Sequence, residues 1–487
     1  MSISSALNSA ASGLRANSRL VDTVANNVSN ALTEGYAQRR TELTSTVFNG
    51  TGSGVGVVGT TRAESAHLTA ERRAADASLG SAAALSDAYS RMMDLLGTSA
   101  DEAGSLMGLA NDLETSLISV AASPQSLTEQ AAVVESAKAV ASKLNAITQE
   151  NNQIRSDMET EIASQVKFVN TSLHSIDSLN EKIATLRTQG SDTASLEDER
   201  ARLIDGISSV VPVSTVKRDN GMLAIYSANG GMLLNGKVYE LSFTANNGGV
   251  TADMTLGAPL SGLSQDQGVS SGPVTVDAGI GSGPFDGGSL GALFQVRDSI
   301  VPDYQAEVDA YANDLIDRFG AQMPAGFLDG SGNGLFVDAG SGSGSAGRIT
   351  LNAAADPDKG GALWRIRDGM GAATQGDAGF GDYLLAMSDS VSAPRSPAGF
   401  TYQSAAASSA GMASGIASYF AGVAGRSEEN TSFLTGLQAT LADNEISVIG
   451  VDSDTELSTL MVLEQAYAAN AQVLSTIDQL MQTILEI

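Results

Sequence analysis

Both ends of this chain carry the same apolar rhythm, and that repeat constrains the fold more than any other feature of the sequence. Ile3, Leu7, Ala10, Leu14, Asn17, Val21, Val24, Val28 and Ala31 recur at alternating steps of four and three. Leu460, Leu463, Tyr467, Asn470, Leu474, Ile477, Met481 and Ile484 repeat that rhythm at the other end. Alternating steps of this kind lay one apolar stripe along a helix, the pattern of a coiled-coil seam. Each seam carries one asparagine, Asn17 and Asn470, a residue that can fix register at some cost in stability. The apolar content runs on to Ile487 with no polar tail. Termini fray unless tied down, so burial of this segment is expected. Two helices pairing inside a monomer satisfy the pattern. So do two ends that pack together and against neighbouring copies.

Between the ends the same period predicts further helices. Residues 68–96 read as one, with Leu79, Leu85, Tyr89 and Leu96 among its apolar positions. A longer one opens at Ser126, which forms a capping box with Glu129. It continues through Val133, Ala137, Val140, Leu144, Ile147, Asn151, Ile154 and Met158. One extra four-residue step to Ile162 breaks the rhythm, and Val169, Leu173, Ile176, Asn180 and Ile183 resume it. At 1.5 Å per residue, nearly sixty residues make a rod of roughly 80–90 Å. That length predicts an elongated domain rather than a compact one.

After Ile204 the period shortens. Val211, Val213, Leu223, Ile225, Leu234, Tyr239, Leu241 and Phe243 fall in short β-like runs. Asp219-Asn220-Gly221, Asn229-Gly230-Gly231 and Asn235-Gly236 separate them as hairpin signals. A glycine-rich stretch over 246–288 then reads as loops and short strands. Helix returns over 290–297 and, after Pro302, through Tyr304, Val308, Tyr311, Leu315 and Phe319. Residues 324–347, dense in Gly, Ser, Asp and Asn, read as loop with little capacity for a core. Alanine-rich helices are expected over 404–424 and 428–444. Helices on both sides of a β insert predict a nested layout, with outer domains built from both halves of the chain.

Composition excludes several functions. The 487 residues, enough for two to four domains, contain no cysteine, so disulfides and thiolate metal sites are ruled out. A formal charge of -28 opposes both nucleic acid and an anionic membrane surface. No apolar run approaches the roughly 18 residues needed to cross a bilayer. The first residues have neither the basic nor the continuous apolar part of a cleaved secretory signal.

Chemical motifs are weak. Gly231 to Lys237 has phosphate-loop spacing, but Val238 stands where a hydroxyl would hold magnesium, so a hairpin turn is expected. Asp329, Ser331 and Asn333 begin like a calcium loop, but Gly340 occupies the position of the bidentate Glu. His67 and His174 each stand alone, without metal-ligand spacing, and read as surface or packing residues. Trp364 is a candidate core anchor. No strand–helix nucleophile elbow occurs. No cofactor and no enzymatic activity are expected; a wall hydrolase on such a scaffold would need acid–base groups converging within 206–400.

Residues 24–38, with the Asn26-Asn27 pair, Asn30 and a Gly35-Tyr36 turn, resemble the N-terminal signature of the flagellar axial proteins of rod, hook and junction. Glu34 stands where a proline commonly precedes that glycine, so this turn is less rigidly specified. The C-terminal segment, with Gln465-Ala466-Tyr467 and Asn470, is similar to that family's final helix. The interior is more discriminating. Gly287 to Asp298, Val301 to Tyr304, Phe327 to Gly330, Leu335-Phe336 and Asp356 to Lys359 look like the branch at the first hook–filament junction.

The resemblance implies a mainly α, elongated multidomain protein with an inserted β domain, its terminal helices pairing in a coiled-coil-like domain. The expected divisions are 1–45 plus 450–487 for the terminal inner-tube domain, 46–205 plus 287–449 for the elongated helical domain, and 206–286 for the variable β-rich insert. The implied function is mechanical: a structural junction protein at the distal end of the hook. Implied partners are copies of itself in a ring, the hook protein, the second junction protein leading to the filament, and a cytoplasmic export chaperone on the C-terminal helix. Nucleic acid and membrane insertion are not expected. The implied location is the extracellular hook–filament junction, reached without a cleaved signal. Another axial component, the hook protein or the second junction protein, is the alternative.

The residues expected to carry assembly and terminal packing are Leu7, Leu14, Asn17, Val21, Val24, Asn26, Asn27, Val28, Asn30, Gly35 and Tyr36. On the C-terminal side they are Leu460, Leu463, Gln465, Tyr467, Asn470, Leu474, Ile477, Met481 and Ile484.

Overall fold

A computed structural model describes residues 3–48, 51–97, 104–265, 274–276, 283–403 and 405–485. Ile487 and Ser404, which figure in the sequence reading, lie outside the described residues. The first helix, α1 (Ile3–Ser29), and the last, α11 (Ser453–Leu485), pack together. They run antiparallel: Asn470 lies against Gly13, and Glu456 bonds to Asn27. The two seams therefore meet within one chain. Asn17 and Asn470 do not pair; Asn470 sits about one turn away, and the Asn17 amide nitrogen is buried without a hydrogen bond.

A long antiparallel hairpin follows α1, formed by β1 (Arg39–Phe48) and β2 (Thr51–Arg62), with register shifts at Glu42/Leu43 and Thr46/Val47. Its uncharged run of Thr, Val, Ser and Gly suits an exposed β-ribbon. The ribbon lies along α1. Gly54, at φ +110°, comes so close to Ser12 that a Cβ there would sit 2.0 Å from the hydroxyl oxygen.

The body is built around α4 (Leu127–Thr188), 62 residues and so about 93 Å long. The Ser126 hydroxyl accepts from Glu129 N–H at 3.3 Å, as a cap should, while the Ser126 N–H donates to the Ser123 carbonyl. Only half of a capping box forms. The predicted seam is the buried face: Val133, Ala137, Val140, Leu144, Ile147, Ile154, Ile162, Val169, Leu173, Ile176 and Ile183 are all in the core. Packed around it are α2 (Ala66–Leu96), α3 (Leu106–Ala122), α5 (Ala194–Val210), α6 (Gly288–Gln295) and α7 (Val301–Phe319). A single π turn, Val296–Ile300, joins α6 to α7. It absorbs Pro302, whose ring and missing N–H would interrupt a continuous α-helix.

The insert begins after α5, whose helix continues to Val210, beyond the Ile204 where the period changes. Strands β3 (Val213–Lys217), β4 (Leu223–Ser227) and β5 (Met232–Leu234) form one antiparallel sheet. Its two turns fall at the predicted Asp219-Asn220-Gly221 and Asn229-Gly230-Gly231. β6 (Leu241–Ser242), β9 (Leu263–Gln265) and β10 (Val274–Val276) form a second sheet, and β7 (Thr255–Leu256) pairs with β8 (Pro259–Leu260).

Polar residues of α4 hold this insert. Asn180 donates to the Leu223 carbonyl and accepts its N–H, and Asn170 does the same to Leu241. Each asparagine therefore satisfies both backbone groups of a strand residue, which a buried edge requires. Arg155, 3% exposed, donates to the carbonyls of Arg297, Thr251 and Met254. Burial lowers its pKa. Glu159 accepts from the fully buried Arg297 and from Asn246 N–H.

Three sequence expectations are corrected. The alanine-rich segments are one helix, α10 (Ser409–Ile449), because Gly425 alone between them costs only about 1 kcal/mol. The second half of α10 is tied to α2 by Thr431 to the Ala82 carbonyl and Gln438 to Asp76. Residues 324–347 do contribute a core: Phe327, Leu335, Phe336 and Ala346 are buried, and β11 (Phe336–Asp338) pairs with β12 (Ile349–Leu351). Trp364 is not the anchor expected. It stays half-buried under the Arg365 guanidinium at the start of α8 (Arg365–Asp368), while Ile366 is the buried residue. The remaining helix, α9 (Asp382–Ser392), closes the end of α3 and α7.

Candidate assembly surface at the paired termini

The N-terminal signature folds into a joint centred on Asn27, which is 1% exposed. Its amide donates to the Arg39 carbonyl and to Glu456 Oε1, both at 2.9 Å. Its oxygen accepts from the Tyr36 hydroxyl at 2.9 Å and from Arg39 N–H at 3.0 Å. Gly35, at φ +77°, makes the turn that returns Tyr36 to the helix it has just left. Gln38 completes the joint: its side chain donates to Glu456, and its N–H donates to the Ile449 carbonyl at the end of α10. Burial raises the Tyr36 pKa, which keeps the phenol a donor. Asn26 and Asn30 instead bond to α1 backbone carbonyls on the exposed side.

Ion pairs connect this joint to the body. Asp198 of α5 accepts from Arg39 at 3.2 Å and from Arg62 at 2.6 Å, so both strands are held at the base of the ribbon by one carboxylate. Arg72 of α2 pairs with Asp76, Asp205 and Glu445, joining α2, α5 and α10. Burial alone would lower the Arg72 pKa, but Asp205 and Glu445 outweigh it and raise it. Neither Asp198 nor Glu445 was singled out in the sequence. Glu456 was also missed, although it stands four residues before Leu460, in phase with the seam. An acid in seam phase is the signal that marks it.

The structure divides the predicted residues into two groups. Val24, Asn27, Leu463 and Ile477 are buried in the helix pair, while Leu7, Leu14, Asn17, Val21, Val28, Leu460, Asn470 and Leu474 are half-buried along it. Asn26, Gly35, Gln465, Tyr467, Met481 and Ile484 face outward. Met481 and Ile484 are exposed because α11 overhangs: in the antiparallel register, residue 480 is level with the start of α1.

α11 also has a second apolar stripe, about a quarter turn from the first. Val462, Ala466, Ala469, Val473 and Leu480 lie along it, with Thr476 between the last two, at steps of four and three. Its large members are open to solvent: Val462 61%, Val473 46% and Leu480 50% exposed. Leu43, Val47, Val57 and Val58 on the ribbon are exposed as well. Between α1 and the ribbon runs an open groove of about 570 Å³, lined by Arg15, Ala16, Arg19, Thr46, Val55 and Val57 among others.

The weak chemical motifs resolve into structural roles. Residues 231–237 form strand and hairpin turn, with Lys237 over the Tyr239 ring. Asp329 accepts from the N–H groups of Ser331 and Asn333 and from the Asn333 and Asn352 amides. Burial alone would raise its pKa, but these bonds outweigh it and lower it. His174 meets Glu240 at 2.7 Å across α4 and the insert, and His67 is exposed near Glu71. Among the described residues, no group of three or more His, Cys, Asp or Glu is placed to hold a metal. No described helix is long and apolar enough to cross a membrane.

Comparison with known proteins places these elements. The sequence pattern described as "Flagellar hook-associated protein FlgK helical domain" matches residues 89–336, just over half of the chain. "Flagella basal body rod protein" matches residues 7–36, and "Flagellar basal body rod FlgEFG protein C-terminal" matches residues 446–487. Flagellar hook-associated protein 1 of Bacillus subtilis is 28% identical over 267 residues, 50% of this chain and 52% of that protein. The Salmonella typhimurium protein of the same name is 27% identical over 241 residues, 48% of this chain and 43% of that one. The chain thus spans about half the length of the curated relatives it matches. The flagellar hook junction protein FlgK of Burkholderia pseudomallei aligns with a TM-score of 0.44 and 22% identity, over 55% of this chain and 47% of that one.

Proposed function

Because the chain belongs to the family of flagellar hook-associated protein FlgK, we propose that it is a structural subunit of the hook–filament junction. In this reading it sits outside the cell at the distal end of the hook and adapts the hook lattice to the filament through the second junction protein. Copies of the chain form a ring. The paired termini, residues 1–45 with 450–487, form its inner wall, and the elongated body and insert lie outside. Leu7, Asn27, Tyr36, Leu463, Asn470 and their neighbours hold each inner unit together; Tyr467, Met481 and Ile484 reach the next copy. The chemistry asked of the chain is shape and adhesion rather than catalysis.

The observation that carries this proposal is the second stripe on α11. A helix whose first seam is filled by α1 needs no further apolar face to fold, and exposed apolar patches of this extent mark interaction surfaces. Before assembly the same stripe calls for a cover, which a cytoplasmic export chaperone would supply. The test is electron microscopy of a strain lacking the chain. Intact hooks without filaments, with unpolymerised flagellin released to the medium, are expected. Missing hooks would move the protein to the rod or hook, and normal filaments would overturn the proposal.

A further inference from the structure

We propose that the groove between α1 and the ribbon is the seat for α11 of a second copy of this chain. The inference rests on the junction reading above and adds which surfaces meet. Its basis is charge and shape. The groove presents Arg15 and Arg19, one helical turn apart and both exposed, beside an apolar floor of Ala16, Val55 and Val57. One acid, Asp22, also lines it. Neither arginine forms an ion pair among the described residues, although acids outnumber bases 55 to 27 in this chain.

α11 is the complement. From Ser453 to Leu485 it contains Asp454, Glu456, Glu464 and Asp478 and no basic residue. Glu456 is used within the joint, whereas Glu464 is exposed and has no ion pair among the described residues. Glu464 lies on the same side of the helix as Leu457 and Met461, which are 48% and 60% exposed. Leu457, Met461, Glu464 and Ala468 follow steps of four, three and four, so they form one face with a carboxylate at its middle. Seated in the groove, that face covers Val55 and Val57 and sets Glu464 between Arg15 and Arg19. Within a single chain this is impossible, because α11 already lies on the opposite, buried side of α1. The contact joins two different surfaces, so each copy offers one of each. Repetition then yields a ring or a helical array instead of a closed pair.

The test uses the absence of native cysteine. Full-length chains carrying Arg19→Cys and Glu464→Cys are expressed together in a strain lacking the native copy, and isolated hook–filament particles are treated with a short bis-maleimide. Cross-linked dimers that form only when both variants are present are expected. Dimers from either variant alone would show like surfaces meeting and would overturn the inference. A second pair, Thr46→Cys with Met461→Cys, leaves both charges in place and serves if the first impairs assembly. Filaments attached through such particles without any cross-link from either pair would overturn the groove contact and leave the junction reading standing. Filaments on particles that contain no copy of the chain would overturn the junction reading itself.

Discussion

Replacing Asn27 by alanine removes four hydrogen bonds from one buried point, and the structure sets the size of the effect. Three of the lost bonds involve neutral partners, each worth about 1 kcal/mol net, and the fourth reaches the Glu456 carboxylate, worth roughly 1.5–3 kcal/mol. The sum is about 5 kcal/mol. Tyr36 and Arg39 are half-buried, so water can satisfy part of what is lost, and about 3 kcal/mol remains. The loss falls on the docking of α1, the ribbon and α11, since all four bonds go to Tyr36, Arg39 and Glu456. Native-state amide exchange reads such local opening free energies segment by segment. Protection in α1 and α11 should fall roughly a hundredfold, taking about 1.4 kcal/mol per factor of ten. Protection in α4 should not change. A fall of less than tenfold in α1 and α11, or an equal fall in α4, would refute the assignment of Asn27 as the joint between the two ends.

Glycine positions give a prediction of opposite signs. Gly80→Ala should lower the unfolding temperature, because its Cβ would stand 2.3 Å from the Ser209 carbonyl where α2 crosses α5. Gly436→Ala, with open space around it, should raise stability by up to about 1 kcal/mol in the same thermal melt. Ser126→Ala removes the cap of α4 and should cost about 1 kcal/mol in urea unfolding. Acid sensitivity should depend on Glu197. Burial alone would raise its pKa, but bonds from Thr193 and Arg187 outweigh it and hold it below 4.5. A carboxylate lowered in the folded state stabilises above its unfolded pKa and loses that contribution as pH falls through the folded value. Glu197→Gln should therefore be less stable than the parent at pH 7, with the gap closing as pH falls below about 4.5; a gap that stays constant with pH would contradict the ion pair.

Long-period information was the most legible part of this chain. The seam of α4 runs from Val133 to Ile183 on one buried face because a helix of that length repeats its signal many times. The terminal seams were legible for the same reason, and so were the hairpin turns of the insert, where Asn-Gly pairs name their own geometry. The ribbon β1–β2 was not. Residues 42–47 are exposed in succession and residues 53–56 half-buried in succession, so no alternation betrays the strands. The core residues Phe327, Leu335 and Phe336 were hidden by a glycine-rich composition that suggested loop. Their burial depends on α7 and α9, which are close only in three dimensions. Pairings such as Asn27 with Glu456 lie 429 positions apart. The sequence shows each partner's residue type but not their proximity.

That separation has a consequence for synthesis. α1 leaves the ribosome before α11, with residues 30–452 between them. At roughly 5–20 residues per second, α1 waits on the order of 20–90 s for the helix of its own chain that covers its seam. The body can fold during that interval, because its core draws on nothing from either end. The terminal pair is thus the latest of the described elements to become possible, and ribosomes stalled before Ser453 would carry a folded body with a bare α1. A cell making this chain holds many such half-finished stripes at once, each a temptation to its neighbours on the same message.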